Sequence, residues 1–106
     1  MATKATTTVT TPAGFTSALV TALGMVVFQD TAANRFDSRC AIEDTAGPTI
    51  ISLANLTGSA SPSQTRVVPV TGGQVLNISV QVLSVVATGG AAANQAVITA
   101  SVVFLR

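Results

Sequence analysis

Six of the nine charged residues fall within fifteen positions, as Asp30, Arg35, Asp37, Arg39, Glu43 and Asp44, and the single cysteine, Cys40, lies among them. Four carboxylates and one thiol are a small stock for acid–base, nucleophilic or metal chemistry, and the chain has no His, Tyr or Trp. A hard cation such as Ca²⁺ takes oxygen ligands, but this spacing follows no calcium loop, which needs acidic residues at alternate positions together with Gly. A glycosidase pair of carboxylates is disfavoured too, because the chain offers no Trp or Tyr as a sugar platform. Cys40 has no histidine to take its proton and shares a strand side with Phe36 and Ile42, so it reads as a buried structural thiol. No glycine pair precedes Lys-Ser or Lys-Thr, and no G-x-G-x-x-G occurs, so Gly72-Gly73 and Gly89-Gly90 read as turns. Asn55-Leu56-Thr57 and Asn77-Ile78-Ser79 match the glycosylation sequon by chance, the second inside an expected strand. No catalytic residue, metal site or cofactor is expected.

The charge cluster is the one constellation left. Arg35, Asp37 and Arg39 alternate in sign along one side of R-F-D-S-R-C-A-I-E-D, while Phe36, Ser38, Cys40 and Ile42 take the other. Two readings stay open. The charges form a solvated face that keeps an edge strand from indiscriminate pairing, or they face a neighbouring subunit and set its register.

The elements that position these residues read as strands. Gln74 to Thr88 sets Leu76, Ile78, Val80, Val82 and Val86 on one face, with Leu83 and Val85 making the far end apolar on both sides, so that end is expected to be buried on both. In Gln95 to Leu105, Ala96, Ile98, Ala100, Val102 and Phe104 alternate with Val97, Thr99, Ser101 and Val103. A short Gly-containing loop between these two strands predicts an antiparallel hairpin with one shared core. Thr49 to Leu56 and Arg66 to Val70 are further strands, the latter held to an edge or strand end by Pro69, and Thr57 to Gln64 is a surface loop. Ala18, Leu19, Ala22, Leu23 and Val26 fit a helical stripe almost as well as a strand; Gly24 and Met25-Val26-Val27-Phe28 favour strand for the second half of Phe15 to Asp30. The fold class is all-β, an antiparallel sandwich or a jelly-roll or barrel of six to eight strands.

Residues 1–12 are expected to be a Thr-rich arm leading into one β-domain over 13–106. The tract from Ala2 to Thr11 has one large apolar side chain, Val9, amid six Thr residues, and so has little of its own to bury. Thr6, Thr7, Thr8 and Val9 join Arg35, Asp37 and Arg39 as expected subunit-interface residues, the arm adding as a strand to a neighbour.

Charged residues make up 8% of the 106 positions, and 17 Ala, 16 Thr and 15 Val dominate the rest. That composition excludes a charge-driven disordered tail, and a net charge of +1 excludes the clustered basic surface of a nucleic-acid binder. Val, Ala and Thr bury little area each, while the mean hydropathy of +0.61 leaves apolar surface over, so part of that surface is expected to meet other subunits. Lys4 ahead of Ala18 to Phe28, with Thr31-Ala32-Ala33 beyond, imitates a signal peptide, but neither a cleaved signal nor a membrane span is expected.

Small size, β-rich patterning, Thr/Ala/Val/Gly composition, few charges and a Thr-rich arm together resemble the small structural proteins of tailed-bacteriophage virions, in particular capsid decoration (cement) proteins. The resemblance lies in composition and layout over the whole chain, and no functional residue is carried over from it. It implies a non-enzymatic sandwich or jelly-roll protein present in many copies, with copies of itself and a major capsid protein or neighbouring virion subunit as partners. It would reside in the virion after synthesis in the host cytoplasm, without nucleic acid or membrane. The alternative class is a pilus- or tail-like extracellular appendage subunit whose arm donates a strand to the next copy. A small ligand-binding module ranks lower, because Tyr and Trp, the usual rigid anchors, are missing.

Overall fold

The computed structural model describes residues 1–29, 34–54, 57–84 and 93–106. Among these it is all-β, with nine strands: β1 (Ala2–Thr10), β2 (Ser17–Gln29), β3 (Asn34–Ile42), β4 (Thr45–Ala46), β5 (Ile50–Ala54), β6 (Thr57–Ala60), β7 (Ser63–Pro69), β8 (Val75–Ser84) and β9 (Ala93–Leu105). They form two antiparallel sheets packed as a sandwich. The front sheet runs β1-β8-β3, with β4 and β5 both continuing it beyond β3; the back sheet has β2 at its centre, β9 along one side, and β6 and β7 in tandem along the other.

Alternation explains which side chains are inside. Ala18, Val20, Ala22, Val26 and Phe28 of β2 face Phe36, Cys40 and Ile42 of β3 and Leu76, Ile78 and Val80 of β8, all fully buried. The whole of β2 is strand, because its inner row meets the front sheet while its main chain is laddered to β7 and β6 along one edge and to β9 along the other. A helix here would leave the facing main-chain groups of β7 and β9 without partners. Gly24 sits mid-strand because the interior is closest there: a Cβ would come within 3.0 Å of Val80 Cγ2 and 3.1 Å of Pro62 Cγ. Between β7 and β8, Gln74 N–H donates to the Thr71 carbonyl at 3.0 Å and Gly73 takes φ of 84°. This is a type II turn, whose third position favours Gly.

Five expectations are corrected. The strands number nine among the described residues and not six to eight, the short β4 and β6 lying outside the expected strands. The N-terminal tract is not a free arm: Ala2–Thr10 pairs with β8 from Ala2↔Val82 to Thr10↔Val75, with one register shift between Thr3 and Ala5. Main-chain pairing offsets an entropy that Val9 alone could not, and Ala5 and Val9 add cover to the interior. The last two long strands are not a hairpin: β8 lies between β1 and β3 in the front sheet, while β9 pairs β2 in the back sheet. Their apolar faces do share one interior, Ile98 packing against the clusters that hold Leu76, Ile78, Val80 and Val82. Thr57 to Gln64 is not a loop but contains β6 and the start of β7, which continue the back sheet past β2. Finally, Leu83 is 43% exposed on the outer front face; Val85 lies outside the described residues.

Candidate functional site

Of the residues singled out by charge, Arg35, Asp37 and Arg39 lie on the outer face of the front sheet, whereas Glu43 and Asp44 form the turn between β3 and β4. Arg35 Nε donates to Asp37 Oδ1 at 3.0 Å and Arg35 Nη2 to Asp37 Oδ2 at 3.2 Å, a forked pair between alternate residues of one strand. Asp37 is only 9% exposed, so its partner offsets the loss of water from its carboxylate. Arg39 Nε donates across to Gln81 Oε1 of β8 at 2.7 Å. In register, Gln81 pairs Thr3 and Ser79 pairs Thr6, so β8 sets the charged row and the outward threonines of β1 on one face. Thr6 and Thr8 are exposed there, whereas Thr7 and Val9 turn the other way and are half-buried. The structure therefore brings five of the seven candidates together, each of the three charged ones engaged within its own chain. Asp30 lies outside the described residues.

Cys40 is buried, its Sγ donating to the Pro62 carbonyl at 3.3 Å, an oxygen that also accepts the Gly24 N–H at 2.8 Å. Burial pushes its pKa above the ordinary thiol value, outweighing the opposite effect of its contact with the Gly24 backbone. A folded pKa above the unfolded one means the thiol's contribution is fully present below the ordinary value of 9.0 and is lost as pH rises through the raised one. The folded protein should thus react with a disulfide reagent at pH 8 at least about a hundredfold more slowly than the unfolded chain, since attack needs an opened state. Comparable rates would show Cys40 to be accessible.

Among the described residues no three His, Cys, Asp or Glu side chains gather. The arrangement the sequence reading missed is the outer face of the back sheet. Leu19, Leu23, Met25 and Val27 of β2, Val67 of β7, and Val97, Val103 and Leu105 of β9 are all exposed, from 37% at Leu19 to 61% at Val97. Register places them in rows. Leu19 pairs both Val67 and Val103, Met25 pairs Val97, and Ser17 lies between Pro69 and Leu105. Between the apolar rows Thr21 lies between Thr65 and Ser101, and Thr65 Oγ1 donates to Thr21 Oγ1 at 3.4 Å. Where β6 gives way to β7, Leu23, Gly24, Met25, Ser61, Val97 and Thr99 line a shallow depression in the same face.

No described charged side chain lies on this surface. Arg66, the one charge on β7, turns inward and donates from Nη1 to the Ile42 carbonyl at 2.7 Å, tying the two sheets together. The legible signal was charge placement: no charged residue stands between Lys4 and Asp30 or between Arg66 and Arg106, the segments that supply most of this face. All eight are at least 37% exposed, and their gathering on one face differs from the singly scattered apolar residues that are normal on a monomer's surface. Such a face can exclude water against another apolar surface at little desolvation cost. No family model, no curated protein and no solved structure matches this chain.

Proposed function

We propose that the protein is a non-enzymatic structural subunit of a virion, carried in many copies as a capsid decoration (cement) protein, and that it seats the outer face of its back sheet on a shell protein. The observation that supports this reading is the outer face of the back sheet, where eight large apolar side chains stand exposed in rows with no described charge among them, the kind of surface that forms the apolar core of a specific interface. The partner patch is accordingly apolar and hydroxyl-bearing, since a charge opposite this face would be buried without a counter-ion. The virion setting comes from the resemblance in composition and layout. The appendage reading depends on a free donor strand, and residues 2–10 are already paired to β8.

The test is co-sedimentation with shells of the source virus. Leu23 and Met25 are 55% and 60% exposed, so Leu23→Lys combined with Met25→Lys leaves the interior untouched. The variant should keep its melting temperature within a few degrees while shell affinity falls roughly a hundredfold or more, because two ammonium groups must be desolvated on docking. Unchanged binding by the variant, or particles that do not carry the chain, overturns the reading.

A further inference from the structure

Two strands flank one long side of the sandwich, β1 in the front sheet and β9 in the back sheet, and among the described residues each pairs along one edge only. They differ in how that open edge is protected. Within β1 lie Lys4 and the register shift between Thr3 and Ala5, a charge and an irregularity of the kind that discourages pairing with another chain. On the opposite side of the sandwich the edges are short pieces, β4 with β5 and β6 with β7, and β7 ends at Pro69. The β9 strand has none of these devices. It runs for 13 residues without charge, Pro or Gly and pairs β2 in unbroken register from Ala93 to Leu105.

The interior is also incompletely covered on this side. Ala96, Ile98, Ala100, Val102 and Phe104 of β9 point inward yet are only half-buried, as are Ala5, Thr7 and Val9 of β1, whereas the inward residues of β2 are fully buried. The sandwich measures 51 × 18 × 17 Å, so a strip left open along its length touches most of the core.

We propose that β9 pairs antiparallel with β9 of a second copy, joining two back sheets edge to edge across a two-fold axis. An antiparallel edge is self-complementary, so the same groups serve both partners and the contact closes at two copies. The open N–H and C=O groups of β9 gain ladder partners. Identical uncharged strands bring no like charges opposite each other, and outward residues of both copies fall on one side, making the two apolar faces continuous. The contact uses the edge of β9, so it stands or falls independently of shell docking.

The test combines light scattering with amide hydrogen exchange on the full chain. A mass twice the 10.6 kDa of one chain is expected, with all amides of the central part of β9 exchanging slowly. A lone edge would protect only those that point to β2. Val97, Thr99 and Ser101 are exposed, so Val97→Lys, Thr99→Lys and Ser101→Lys together spare the interior, set like charges against one another across the two-fold axis, and should halve the mass. Leu19→Lys with Leu23→Lys, on the same face but on β2, should leave the dimer intact. A monomeric wild-type chain overturns the proposal, as does alternate fast exchange along β9. So does a dimer that survives the β9 substitutions, or one that the β2 substitutions abolish. If the β9 variant does not fold, the exchange pattern of the unaltered chain decides.

Discussion

Deleting residues 2–10 is expected to abolish cooperative folding. The tract looks dispensable by composition, yet in the structure it is the outer strand of the front sheet. Removing it exposes one whole side of β8, whose Leu76, Ile78 and Val80 are fully buried, and takes away Ala5 and Val9 from the two core clusters. The lost ladder hydrogen bonds contribute on the order of 1 kcal/mol net each. Together with the uncovered apolar area they rival the roughly 5–10 kcal/mol that holds a small domain together. The new edge formed by β8 would moreover be apolar on its inner side and open to pairing, so aggregation should accompany unfolding. Far-ultraviolet circular dichroism and a thermal melt of the truncated chain measure this directly. A native spectrum with a melting temperature within a few degrees of the full chain would show β1 to be an appended strand that the rest of the sandwich does not need.

Phe36→Ala should be the most damaging single substitution among the core residues. Phe28 of β2 and Phe36 of β3 stack across the interior with centroids 4.5 Å apart and planes 6° from parallel, and both are fully buried. Their neighbours are Val26, Ala60, Val80 and Val82, small side chains that cannot collapse into the space a phenyl ring leaves. Truncating a core Phe costs about 3–5 kcal/mol, a drop of roughly 15–30 °C in the melting temperature of a domain this size. Phe15→Ala is the control. Phe15 is half-buried, 5.7 Å from the Phe104 ring and beneath the Arg106 guanidinium at 5.3 Å, a contact at the margin of the sandwich. Its loss should cost about 1 kcal/mol. Equal effects at the two positions would mean that the Phe28–Phe36 stack is not the anchor of its end of the core.

The all-β class and, along β3 and most of β8, the choice of which side chains go inside are legible in the sequence alone. Phe36, Cys40 and Ile42, then Leu76, Ile78, Val80 and Val82, are buried as their alternation requires, because a pleat sends successive residues to opposite faces wherever the strand lies. The turn at Gly72-Gly73 and the burial of Cys40 were legible for the same local reasons. What alternation does not carry is the identity of the neighbour. The strands β8 and β9 have matching apolar faces, which a hairpin and a pair facing each other across a sandwich satisfy equally; only the assembled sheets decide for the second. The Thr tract pairs with β8 of its own chain and not with a neighbour's edge, because composition shows that an extended tract can add to a sheet but not which edge it meets, and β8 lies some seventy residues away in sequence. The apolar outer face of the back sheet is a tertiary product in the same sense. Leu19, Val67 and Val103 come from three distant strands, and each is an unremarkable exposed residue until register sets them in one row. Local periodicity decides inside from outside, whereas long-range registry decides which outsides become a single surface.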